Sequence, residues 1–141
     1  MKKIAILAAA AATLLAPASA AAKNFQQKGS INGDPAAVVR LRVAVEGGEP
    51  KKVAGFRALN VRARCGKDRV RITLRAVTPI RVRSDRTFKA RLADDAGGVL
   101  HIRGTVKDGG RKTKGRLWTN EFESGKKTCR VPIQRWRAKV R

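Results

Sequence analysis

Tyrosine is missing from this sequence, and two tryptophans and four phenylalanines are its only aromatic residues apart from one histidine. A surface that holds single-stranded nucleic acid normally stacks bases on rings set among its basic residues. Only Trp118, next to Arg116, offers such a place, while Phe88 and Trp136 fall on apolar strand faces. No specific nucleic-acid recognition is therefore expected. The one histidine, His101, has no Ser, Cys or Asp at a spacing that suggests a nucleophile or a base. The two cysteines, Cys65 and Cys129, lack the CxxC spacing of zinc sites, and glycine-rich phosphate loops and calcium loops are absent. Asp94-Asp95 sits in a glycine-rich turn, and Glu121 and Glu123 have no recognisable cleft to act in. These absences argue against an enzyme, and no metal or cofactor is expected.

Long apolar runs are also missing. The longest, Ile4 to Ala16, follows Lys2 and Lys3 and is broken by Pro17 before Ala18-Ser19-Ala20. A membrane span needs about 20 apolar residues, so this shorter run reads as the apolar region of a signal peptide. Residues 1–20 are the expected leader, with cleavage after Ala20, or after Ala22 as second choice. Residues 21–141 are the expected single secreted domain, extracellular or associated with the cell envelope, with no membrane span after cleavage. That length suits one modest core and is too short for two.

Cysteine usage fits export. A pair of cysteines in an oxidising compartment is expected to be bridged, here across 63 intervening residues.

What the chain has in excess is positive charge. Nineteen arginines and fourteen lysines face ten acidic residues, for a formal net charge of +23. Such a balance favours polyanionic partners, such as anionic cell-wall polymer or another acidic surface.

The remaining pattern is alternation with period two. In AVVRLRVAVE, Val39, Leu41, Val43 and Val45 take one face and Arg40, Arg42 and Glu46 the other. FRALNVRARC places Leu59, Val61, Ala63 and Cys65 together, and RVRITLRAV does the same for Val70, Ile72, Leu74 and Ala76. Further alternating runs follow at Ile80–Val82, Phe88–Leu92, Leu100–Val106 and Gly115–Phe122. The last strand begins at Cys129 and changes phase between Ile133 and Trp136, which predicts a bulge near Pro132. Residues Ala21 to Lys28 read as a short leader or a first edge strand. About nine strands with glycine and aspartate turns predict an all-β, single antiparallel meander barrel or two-sheet sandwich, the barrel slightly preferred because closure removes exposed edges.

On this map many cations face outward. Arg62, Arg64, Arg69, Arg71, Arg75, Arg81, Arg83, Arg135 and Arg137 are the candidate polyanion-binding residues. The same alternation would also serve a strand surface that merely stays soluble, where arginine stems cover apolar area and their charge resists edge pairing.

The ARC segment at Ala63-Arg64-Cys65, TFKARL from Thr87, GTVKDGGRKTKGRL from Gly104 and the Cys129-x6-Trp136-x-Ala138 ending resemble a group of short exported β-domain proteins of high-GC Gram-positive bacteria. The resemblance implies a fold and a compartment and no activity. The expectation is a non-enzymatic exported module with affinity for polyanions. The rival readings are a secreted structural protein with no specific ligand, and a protein-binding or inhibitor scaffold presenting Gly47-Gly48 and Asp108–Gly110.

Overall fold

A computed structural model describes residues 22–94 and 97–141; the expected leader at residues 1–20 and its cleavage after Ala20 lie outside them. The described chain forms β1 (Ala22–Ile31), β2 (Asp34–Glu46), β3 (Glu49–Cys65), β4 (Asp68–Arg75), β5 (Ile80–Arg81), β6 (Thr87–Ala93), β7 (Val99–Lys107), β8 (Lys112–Thr119), β9 (Phe122–Ser124), β10 (Lys127–Arg130) and β11 (Gln134–Val140). A single 3-10 turn, Asp108–Gly110, joins β7 to β8. Among the described residues no helix is long and apolar enough to cross a membrane.

The protein is all-β, and its strands belong to one antiparallel sheet. Its main path runs β6-β7-β8-β11-β1-β2-β3, with β4 and β5 on one side of β3 and β10, then β9, on the side that β2 occupies further along. The meander expected from the sequence is therefore present as two runs, β1 to β4 and β6 to β8, with β11 inserted between them. The sheet does not close. Its ends approach where Val82 N–H donates to the Lys51 carbonyl (2.9 Å) and Arg83 N–H to the Thr87 carbonyl (2.8 Å), without a continuous ladder. Two separate sheets, the other architecture the sequence allowed, are not what forms.

Curling brings the inner faces of the two runs onto one core. Phe56 of β3 and Phe88 of β6 meet Trp136 of β11, at ring-centroid distances of 5.3 and 6.3 Å, and buried Val39, Val43, Val53, Val61, Ile102 and Leu117 surround them. The alternation in β2 and β4 keeps the arginines out of this core, as their sequence predicts.

Four expectations need correction. Residues Ala22 to Lys28 are no separate leader but the first part of β1, which pairs with β2 and is an edge only as far as Gln26, because from Gln27 on β11 pairs on its other side. Its polar residues hid this, since Gln27 is buried and its side-chain amide donates to the Gly110 carbonyl at 2.7 Å. In β3 the phase shifts between Ala58 and Val61, where Asn60 adopts φ +57°, so Phe56 and Ala58 are buried and Leu59 only half-buried. The last strand is two strands, because Val131-Pro132-Ile133 breaks the ladder instead of bulging within it. Splitting it, and counting the short β9, raises nine strands to eleven. Finally, the Cys65–Cys129 disulfide ties β10 to the end of β3, where the two residues lie directly opposite, and does not hold the C-terminal strand.

Candidate polyanion-binding groove

Inner-face glycines shape the outer surface. In one cross-strand row, Phe88, Gly104, Gly115, Trp136 and Ile31 follow one another over β6, β7, β8, β11 and β1. A Cβ on Gly104 would overlap the Phe88 ring, and one on Gly115 would overlap the Arg103 carbonyl oxygen. On β1, a Cβ on Gly29 would overlap the Arg137 carbonyl oxygen. The large rings fill the space the glycines leave, and the strands approach closely over them, as aromatic–glycine pairs in curved sheets do. Outside these glycines lies an open groove of about 1570 Å³, whose walls include all three.

The outward residues of the same strands are cationic. Register arranges them in three rows: Lys28–Lys139–Lys112–Lys107, then Ser30–Arg137–Lys114–Thr105–Thr87, then Arg135–Arg116–Arg103–Lys89. With Arg83, eleven lysines and arginines line the groove and no carboxylate does. Asp108 stands near its rim, 3.4 Å from Lys112. Rows are about 6.8 Å apart along a strand and neighbouring strands about 4.8 Å apart, so most of these cations stand beside like charges. Directly opposed like charges destabilise a sheet.

That crowding registers on Lys114. Hydrogen bonding to and repulsion by Lys107, followed by partial desolvation and the charge of Arg137, hold its amine below the ordinary lysine value. Between the lowered value and the unfolded one the unfolded chain binds more protons, so this lysine's contribution makes stability rise with pH through that window. Lys114 is expected to lose its proton below the ordinary lysine range. A bound polyanion should move its midpoint upward, with proton uptake on binding at alkaline pH. Side-chain nitrogen NMR checks both, and a Lys114 midpoint at or above the ordinary lysine value would refute the crowding.

The candidate arginines divide into three groups. Arg83, Arg135 and Arg137 line the groove. Arg62, Arg64, Arg69 and Arg71 surround a smaller hollow of about 510 Å³, floored by Ala63, Val70, Pro132 and Ile133. There Arg62 and Arg71 are engaged by Asp34, at 3.3 and 3.0 Å, and Arg71 also donates to the Asn60 carbonyl. The Ala36 N–H, then Arg71 and Arg62, keep the Asp34 carboxyl below its ordinary value. Half of that arginine patch therefore already has a counter-charge. Arg75 and Arg81 line neither hollow and stand opposite Arg57 and Lys52.

Sequence reasoning left Lys28, Lys89, Arg103, Lys107, Lys112, Lys114, Arg116 and Lys139 out of the candidate set, though they make up most of the groove. A usable signal was present in KTKGRL, where Lys112, Lys114 and Arg116 alternate with Thr113, Gly115 and Leu117.

Trp118 and His101 face each other across β8 and β7, stacked at 4.9 Å with planes 6° apart, and the Arg103 guanidinium lies 5.8 Å from the Trp118 ring. The histidine is a stacking partner for tryptophan. Among the described residues, no three His, Cys, Asp or Glu side chains come together as a metal would require. In the Asp108–Gly110 turn, Gly110 is buried near Val45 and Phe25 and its carbonyl accepts the Gln27 amide, while Asp108 and Gly109 are exposed.

Compared with known proteins, this chain matches no family model, no curated protein and no solved structure.

Proposed function

We propose that the protein is a non-enzymatic extracellular binding module that holds linear polyanions in the groove over β6, β7, β8, β11 and β1. The observation that carries this reading is a concave surface with eleven cations and no lining carboxylate. A sheet selected only for solubility would gain from acids set opposite bases, as at Asp34 with Arg62 and Arg71. Here a bound polyanion would supply the missing counter-charge. The Cys65–Cys129 disulfide supports an oxidising compartment, and anionic envelope polymer is the natural partner there.

The test compares two triple variants of equal net charge. Lys114→Gln/Arg116→Gln/Arg137→Gln empties the middle of the groove. Arg40→Gln/Arg57→Gln/Arg75→Gln neutralises a row of outward arginines on β2, β3 and β4 that does not line it. Binding to dextran sulfate, followed against salt, should lose about 2 to 3 units of log–log slope in the groove variant, roughly one per phosphate-type contact removed. The row variant should keep nearly the full slope. Equal losses would mean that net charge alone drives binding, and the structural-protein reading would then stand.

A further inference from the structure

Within the groove, β8 and β11 form a ladder of cation pairs: Lys112 opposite Lys139, Lys114 opposite Arg137, and Arg116 opposite Arg135. All six side chains are exposed. These are the strands with three consecutive outward cations lining the groove, whereas β7 is interrupted by Thr105, β1 continues as Ser30, and β6 begins with Thr87. We infer that this ladder holds an extended phosphodiester chain without bases, in which three carbons join successive phosphates, lying along β8 and β11. The inference rests on the groove reading and names its ligand chemistry.

Repeat length is the reason. Cations two residues apart on a strand are separated by six backbone bonds and about 6.8 Å. A chain of the form P–O–C–C–C–O–P also has six backbone bonds between successive phosphorus atoms, so when extended its charges keep step with the ladder. Each phosphate then lies between two columns about 4.8 Å apart and can take donors from both. At the middle rung the Arg137 guanidinium adds its planar fork to the point charge of Lys114, and the Arg116–Arg135 rung offers two forks. Inorganic polyphosphate, with two bonds per repeat, is too dense to stay in register, and a six-carbon linker, with nine, is too sparse.

Two further observations fix the direction and the absence of bases. A chain lying across the strands would follow either complete row, Lys28 to Lys107 or Arg135 to Lys89, and would miss the crowded centre where Lys114 stands against Arg137. A chain along the columns meets that centre. As for bases, no ring stands among the six cations. Trp118, the next outward residue on β8, already stacks on His101 beneath Arg103. Successive stacking platforms, which hold single-stranded nucleic acid, are therefore lacking.

Fluorescence anisotropy with end-labelled oligomers of equal charge number tests the inference. Oligo(propane-1,3-diol phosphate) should bind about tenfold more tightly than oligo(hexane-1,6-diol phosphate) at one salt concentration, equivalent to one well-placed contact. Oligothymidylate should bind no more tightly than the propanediol chain, and a 1,4-linked oligouronate more weakly. Lys114→Gln/Arg137→Gln should remove the propanediol advantage, and Arg57→Gln/Arg75→Gln should leave it.

Equal affinity for the two diol phosphates, with binding still dependent on the groove cations, overturns the register argument and leaves the groove reading standing. Affinity indifferent to the groove cations overturns both. Tighter binding of oligothymidylate, lost in Trp118→Leu, would assign the groove to single-stranded nucleic acid. Tighter binding of the oligouronate would turn the ligand across the strands. Either result overturns the base-free phosphodiester.

Discussion

Replacing Cys65 and Cys129 by alanine is expected to lower the free energy of unfolding by about 4 kcal/mol, from the loop-closure entropy of the 63 residues between them. Domains of this size are stable by only about 5–15 kcal/mol, so the loss is a large share of the total. The local structure adds a second effect. β10 pairs with β3 at only two positions, Cys129 with Cys65 and Arg130 with Arg64, and β9 is attached through β10. Without the bridge this small hairpin is held by those pairs, the Gly66 N–H to Thr128 carbonyl bond, the exposed Lys127–Asp68 ion pair, and Phe122 and Val131 against the core, so amide exchange over residues 122–130 should rise first. The groove uses neither β9 nor β10 and should keep its polyanion affinity wherever the variant remains folded. Denaturant unfolding of the oxidised protein and the double alanine variant measures the difference. A loss below about 1 kcal/mol would show that the loop-entropy account does not apply here.

Gly115→Ala and Gly29→Ala are expected to destabilise by about 3 kcal/mol or more each, at the upper end for overpacking, although each adds one methyl group. The new carbon at either position would overlap a backbone carbonyl oxygen, of Arg103 or Arg137, which no side-chain rotation can move aside. The strands would have to separate, flattening the bend that makes the groove. Gly125→Ala provides the contrast, because Gly125 has φ +65° but open space around its missing Cβ. Its cost is the conformational one alone, about 1–2 kcal/mol. If Gly115→Ala were no worse than Gly125→Ala in thermal unfolding, the close packing of β7, β8 and β11 would not be what shapes this face.

Alternation made most of the strands readable. Val39 to Val45 and Val70 to Leu74 each place apolar residues on one side and cations on the other, and one-sided strands need one shared core. The pattern failed where a strand's residues do not alternate. β1 buries Gln27 and Gly29 faces inward, so the segment reads as polar and unstructured. β3 starts at Glu49, but Pro50, the lysines at 51 and 52, and Gly55 with φ +61° obscure its first half.

The groove was less legible for a different reason. Outwardness is a local property, readable from period two, and Arg83, Arg135 and Arg137 were nominated on that ground. Which outward cations are neighbours depends on strand order. No local pattern shows that Lys139 lies between Lys28 and Lys112, because that follows from inserting β11 between β1 and β8. The concavity was hidden as well. Gly104 and Gly115 read singly as weak points in strands, and only their alignment beside Phe88 and Trp136 makes a bend.

The position of β11 also bears on when the protein can become itself. Residues 22–75 can pair among themselves, and so can residues 87–119, but the two runs are joined in the main sheet path by Gln134–Val140. As the chain is synthesised, neither run can complete its sheet until that C-terminal segment arrives. Its contacts with β1 are among the most distant in sequence, such as Gln27 with Val140, and such pairings are slow to form. The two runs thus stay unjoined in the main sheet until residues 134–140 have been made. That delay is what the extracellular role proposed above would ask of a chain that folds after export.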